Sequence, residues 1–221
     1  MRKPALLAAL VAAVLALNTA PAPARAVPAA GAGAATVTAY SSLTDAQRSA
    51  LLGIARDTWK FYQADVDSST HLPLDNLTFA GGSATPTAYG RYTSAANIGV
   101  YLWAVVSAAD LGLISRPRAR DLAEATLNEV AHLKRFDGFL YQWYDTSNGD
   151  VLSNPGQADC TETTPAFDNC FFVSNVDNGW YASGLIVVRE AMPGLRQLVD
   201  RLMAPLNFGI FYDDRAETHC N

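Results

Sequence analysis

The feature that most constrains this chain is a repeat. Ser94, Asn97, Gly99 and Tyr101 return 80 residues later as Ser174, Asp177, Gly179 and Tyr181, and each set opens an apolar run long enough for a helix. That period exceeds those of the common short solenoid repeats, but it suits a toroid whose unit is one inner helix, one outer helix and their connecting loops. The expected class is therefore all-α, built of helical hairpins.

Local patterns place the elements. Thr44 and Gln47 have capping-box spacing, and Leu51, Ile54, Ala55, Trp59 and Tyr62 recur at three- and four-residue steps, which predicts a helix over 44–63. The segment from His71 to Thr87 reads as a loop. A second helix, 94–111, is apolar nearly all round, the mark of an inner helix buried on every side. Ser115 and Pro117 then start a third helix with one apolar stripe and one charged face, an outer helix. The aromatic alternation from Phe139 to Asp145, followed by the turn-forming Thr146-Ser-Asn-Gly149, predicts a short rim hairpin, and Phe208-Gly-Ile-Phe-Tyr-Asp213 looks like a second copy. Helices four and five are expected at 177–190 and 195–203, with Met192-Pro193-Gly194 breaking between them.

The N-terminus reads as an address rather than a fold. Arg2 and Lys3 precede an apolar run to Leu17, and Ala24-Arg25-Ala26 is a small-x-small cleavage pattern, so residues 1–26 are expected to be a secretory signal and the protein to be secreted. After cleavage no membrane association is expected. Residues 27–43, rich in Ala, Gly and Pro, read as a linker to a domain spanning 44–221. Loss of the signal would leave 13 basic against 21 acidic residues, which disfavours nucleic acid as a partner. Three cysteines in an exported chain suggest one disulfide, with Cys160 and Cys170 the preferred pair because they share a turn-rich loop, and Cys220 left over.

The chemistry-bearing residues are aromatic and acidic. Sugars present apolar ring faces for stacking and hydroxyls that carboxylates and amides accept, a need met by Tyr141, Trp143, Tyr144, Asp145, Asp177, Asn178 and Trp180. Single aromatics of this kind also serve as core residues with a satisfied polar tip, and Asp177 also suits a helix N-terminus. His71, His132 and His219 lack ligand spacing, there is no Gly-x-Ser-x-Gly and no Gly-rich phosphate loop, so neither metal nor cofactor is expected.

Five motifs together carry a family resemblance: Thr-Trp-Lys-Phe-Tyr (58–62), Leu-Pro-Leu-Asp-Asn (72–76), Thr-Ser-Ala-Ala-Asn-Ile-Gly-Val-Tyr-Leu (93–102), Gly-Phe-Leu-Tyr-Gln-Trp-Tyr-Asp (138–145) and Val-Ser-Asn-Val-Asp-Asn-Gly-Trp (173–180). Over about 44–214 the chain resembles the bacterial glucoamylase-like family, which includes endo-β-1,2-glucanases. The resemblance implies a partial (α/α)6 toroid, a carbohydrate partner such as a β-glucan, and a cleft where Asp177 is catalytic and Asp75, Asn97 and Asp145 bind substrate. It also implies further helices beyond the point matching Asp213, including one bearing the general-acid glutamate, so the chain is expected to be a truncated relative. Two functions stand: a secreted glycoside hydrolase acting on β-glucan, or a non-catalytic sugar-binding or scaffold relative. An open toroid edge would also favour self-association.

Overall fold

A computed structural model describes residues 42–152 and 171–212. Its helices are α1 (Asp45–Ala64), α2 (Ala95–Asp110), α3 (Arg116–His132), α4 (Asn175–Ala191) and α5 (Arg196–Met203); α1, α2, α4 and α5 lie within two residues of the expected bounds, and α3 starts just after Ser115 as expected. Short strands decorate them: β1 (Asn76–Phe79) pairs with β2 (Pro86–Gly90), β3 (Tyr92–Thr93) with β6 (Tyr144–Asp145), and β4 (Arg135–Phe136) with β5 (Phe139–Leu140), each antiparallel. The protein is a set of helical hairpins with small hairpins at one edge.

The inner pair, α2 on α4, is the centre of the packing. Val106 and Ala109 near the C-terminus of α2 line one cavity with Ala191 and Met192 at the C-terminus of α4. The two helices therefore run parallel, and their N-termini share the opposite rim. They approach without side chains between them: a Cβ on Gly99 would stand 2.5 Å from the Trp180 carbonyl carbon, and one on Gly184 would stand 2.7 Å from the Gly99 Cα. Tyr101, Leu102, Val105, Tyr181, Leu185 and Val188 fill the surrounding core. The amphipathic α3 covers it with Ala119, Ala123, Leu127 and Val130, as an outer helix should.

Three expectations are corrected. The stretch read as a loop before α2 contains the β1–β2 hairpin, whose strands are largely exposed and so lack the alternation that would have marked them. The rim hairpin expected across the 146–149 turn is present, with Asp145 N donating to Asp150 O at 2.8 Å, Leu152 N to Trp143 O at 3.0 Å and a Tyr144–Val151 bridge between them, while β5 pairs with β4 across Asp137-Gly138 and β6 also pairs with β3. The supposed second copy is a 3₁₀ turn, Phe208–Phe211, whose rings 208 and 211 both pack edge-on to Phe139. Nor is either inner helix buried all round: Trp103 is 44% and Ile186 49% exposed.

Candidate functional site

The shared rim begins with two capping devices. Ser94 ends an extended segment, its Oγ accepts from Asn97 N at 3.2 Å, and Asn97 Oδ1 accepts in return from Ser94 N at 3.1 Å, a complete capping box. At the second copy Ser174 Oγ accepts from Asp177 N at 3.2 Å. The recurring Ser-x-x-Asn/Asp thus starts each inner helix by satisfying first-turn donors. It also sets an amide and a carboxylate on one rim.

A cleft of about 190 Å³ opens beside Asn97, lined by Phe61, Tyr62, Asp65, Pro73, Leu74, Asp75, Ala96, Asn97 and Val100. The chain builds it by doubling back after α1. Asp67 N donates to Leu72 O at 2.9 Å and Leu74 N to Asp65 O at 2.8 Å, around a Val66–Pro73 bridge. His71, at φ 59°, makes the turn. This return brings Asp75 back to Asp65. Asn76 Nδ2 donates to Asp75 Oδ2 at 3.0 Å and to the Tyr92 hydroxyl at 2.9 Å, while Tyr92 packs edge-on against Trp143 with ring centroids 5.4 Å apart.

The electrostatics of the rim are those of buried acids. Burial, reinforced by the charge of Asp75, pushes Asp65 up to about 7. Burial also raises Asp177, against the opposing hydrogen bond to Ser174. Carboxyls whose proton affinity is raised in this way gather at functional sites. Asp65, Phe61 and Tyr62 were missed from the sequence because the two aromatics were absorbed into the helix pattern and the return at 66–73 carries no strong strand signal. The ten-residue spacing of Asp65 and Asp75 around a turn was the available clue.

The remaining sequence-predicted residues divide. Asp75 and Asn97 line the cleft, Asp177 is half-buried on the same rim, and Trp143 and Trp180 are partly exposed. Asn178 is not on the surface but fully buried, where its amide acts as a strand partner: Oδ1 accepts from Leu140 N at 2.9 Å, and Nδ2 donates to Leu140 O at 2.9 Å and Ser174 O at 2.8 Å. Tyr144 is likewise buried, its hydroxyl accepting from Tyr141 N and donating to Lys134 O, both at 2.7 Å. Tyr141 is buried edge-on to Phe171. Asp145 spends one oxygen on the backbone and hydroxyl of Ser147, at 2.7 and 2.6 Å. Tyr144 and Asn178 thus spend their polar groups on the backbone, Tyr141 is buried, and Asp145 holds the 146–149 turn with one oxygen. Cys160 and Cys170 lie outside the described residues.

A larger cavity, about 310 Å³, opens at the other end of the inner helices between Val106, Arg116, Arg120 and Met192. Among the described residues it offers neither a carboxylate nor an aromatic ring, so of these two cavities the rim cleft is the better suited to a sugar. Among the described residues no group of three or more His, Cys, Asp or Glu could hold a metal ion.

Known proteins share this architecture. The chain is 31% identical over 137 residues to the cyclic β-(1,2)-glucan synthase NdvB of Rhizobium meliloti (strain 1021), a match spanning 61% of this chain and 4% of that protein. Among solved structures, a putative glucoamylase from Bacteroides fragilis NCTC 9343 superposes with TM-score 0.58 at 17% identity, covering 85% of this chain and 40% of that one. A β-1,2-glucanase from Parabacteroides distasonis gives 0.58 at 15%, over 78% and 23% of the two chains. An endo-β-1,2-glucanase from Chitinophaga pinensis, solved with sophorotriose and glucose, gives 0.54 at 18%, over 74% and 38%. The chain thus spans less than half the length of each of these relatives, and its fold is part of the (α/α)6 toroid of glucoamylase-like enzymes. By a match over residues 53–216, it belongs to the family described as a protein of unknown function (DUF3131).

Proposed function

We propose that this chain is part of an exported, carbohydrate-active domain that holds a neutral β-glucan, with β-1,2-linked glucan the first candidate, along the rim shared by the N-termini of α2 and α4. The observation that carries the reading is the cleft on that rim, lined by the Asp75 carboxylate and the Asn97 amide together with the aromatic rings of Phe61 and Tyr62. The choice of glucan rests on the relatives: two are glucanases of the β-1,2 linkage and one is a synthase of a cyclic β-1,2-glucan. Cleavage and synthesis share the linkage, so the linkage transfers more safely than the reaction. Export is supported by the charged and apolar pattern of residues 1–26. The exposed Trp103 and Ile186 support self-association.

Asp177 is the carboxyl of the rim that would serve chemistry. Inverting hydrolysis sets an acid and a base about 6.5–9.5 Å apart, one protonating the leaving oxygen and the other activating water. Burial keeps Asp177 protonated to higher pH than a free aspartate, the state needed for the acid role. A partner is the harder requirement. Glu124 and Glu129 lie on the outer α3, Glu190 sits at the far end of α4, and no glutamate among the described residues lines the cleft. The chain is accordingly proposed to bind without sustained turnover. The test is release of reducing sugar from β-1,2-glucan and other β-glucans by the full chain beside Asp177→Asn. Steady release by the parent, lost in the variant, would replace the binding role with that of a hydrolase.

A further inference from the structure

We propose that Asp65 is the second polar arm of the rim cleft, a carboxyl that donates its proton to one hydroxyl of a neutral sugar while Asp75 beside it accepts from the neighbouring hydroxyl. The inference rests on the carbohydrate reading above. Asp65 is only 4% exposed, and its Oδ1 is buried without a hydrogen-bond partner. Buried oxygens are nearly always paired, and an orphan costs stability unless something outside the chain completes it. The Asp65 side chain is part of a cleft wall, and the cleft is large enough to admit part of a sugar ring beside it.

The surroundings decide which hydrogen bond Asp65 makes. The ionisable groups that act on it are Asp75, from the returning loop, and Tyr62, from its own helix. From the opposite side α2 contributes Ala96, Asn97 and Val100, which do not titrate, and Tyr92 on β3 reaches Asp75 rather than Asp65. Among the described residues no lysine or arginine lines the cleft to hold a second carboxylate. Desolvation and the neighbouring negative charge therefore keep Asp65 protonated up to about pH 7. A protonated carboxyl donates and a carboxylate accepts, so the pair matches adjacent hydroxyls, each of which can do both. The same lack of cations excludes uronates and phosphorylated sugars. Phe61 and Tyr62, edge-to-face at 5.4 Å, supply apolar wall for the ring.

The experiment is calorimetric titration of the full chain with sophorotriose from about pH 5 to about pH 9, beside Asp65→Asn and Asp65→Ala. Parent affinity should be flat at low pH and fall about tenfold per pH unit above about 7, as the donor proton is lost. Asp65→Asn keeps an N–H donor and cannot ionise, so its affinity should not depend on pH through that range. Asp65→Ala should bind several-fold more weakly than the parent below about pH 7 and show no fall above it. If Asp65→Ala does not fold, the Asp65→Asn profile decides alone. Sophorotriose binding with the same pH profile in the parent and Asp65→Asn would overturn the role of Asp65 and leave the carbohydrate reading standing. No binding by any of the proteins at any pH would overturn both.

Discussion

Replacing Gly184 with alanine tests the packing that creates the rim. In an open helix position Gly→Ala stabilises by about 1 kcal/mol, because alanine loses less backbone entropy on folding. At Gly184 the new Cβ would meet the backbone of Gly99, 2.7 Å from its Cα and 2.9 Å from its carbonyl carbon. No side chain can rotate away there. The helices must separate, and overpacking of this kind costs about 1–3 kcal/mol, enough to outweigh the propensity gain. The repeat supplies an internal control, since a Cβ on Gly179 would meet nothing within 4 Å. Gly184→Ala should lower the unfolding temperature by up to about 8 °C and Gly179→Ala should raise it by about 2–4 °C, at about 2–4 °C per kcal/mol for a domain of this size. Differential scanning fluorimetry of the full chain measures both. Equal stabilisation by the two substitutions would refute the direct α2–α4 contact.

Asn178→Ala should cost about 2–4 kcal/mol in urea unfolding, because the Leu140 N–H and carbonyl lose their partner inside the core. Asp65 should make stability depend on pH: its carboxyl is raised from 3.8 to about 7 in the fold, so the native state holds the proton more tightly and stability declines as pH rises between those values. Asp65→Asn should remove that decline, worth up to about 4 kcal/mol, and chemical denaturation at several pH values checks it. Light scattering after gel filtration should show a mass above that of one chain, reduced by Trp103→Gln with Ile186→Gln. Peptide mapping without reductant should find Cys160 joined to Cys170, and Cys220 joined to either would refute that pairing.

The longer helices were legible because α2, α3 and α4 each carry a serine start signal and an apolar period. The Ser94 and Ser174 repeats announced two equivalent helix starts, and the structure explains the repeat as capping chemistry at one rim. Facing was less legible. Periodicity told that α2 and α4 were apolar but not that Trp103 and Ile186 would remain outside, since their cover would have to come from elements not adjacent in sequence. The same limit misplaced Tyr144 and Asn178, whose polar ends are satisfied by backbone from Lys134, Tyr141 and Leu140, partners that a linear reading does not bring together. Asp75 and Asn97 were found through motif and resemblance. Asp65 required the loop between α1 and β1 to be seen doubling back.

Amide chemical-shift mapping of the full chain titrated with sophorotriose tests the rim reading most directly. The account predicts saturable shifts concentrated at Phe61, Asp65, Asp75, Asn97 and Asp177, with the cavity between Val106, Arg116 and Met192 silent. Shifts centred on that opposite cavity, or none at millimolar sugar, would contradict it.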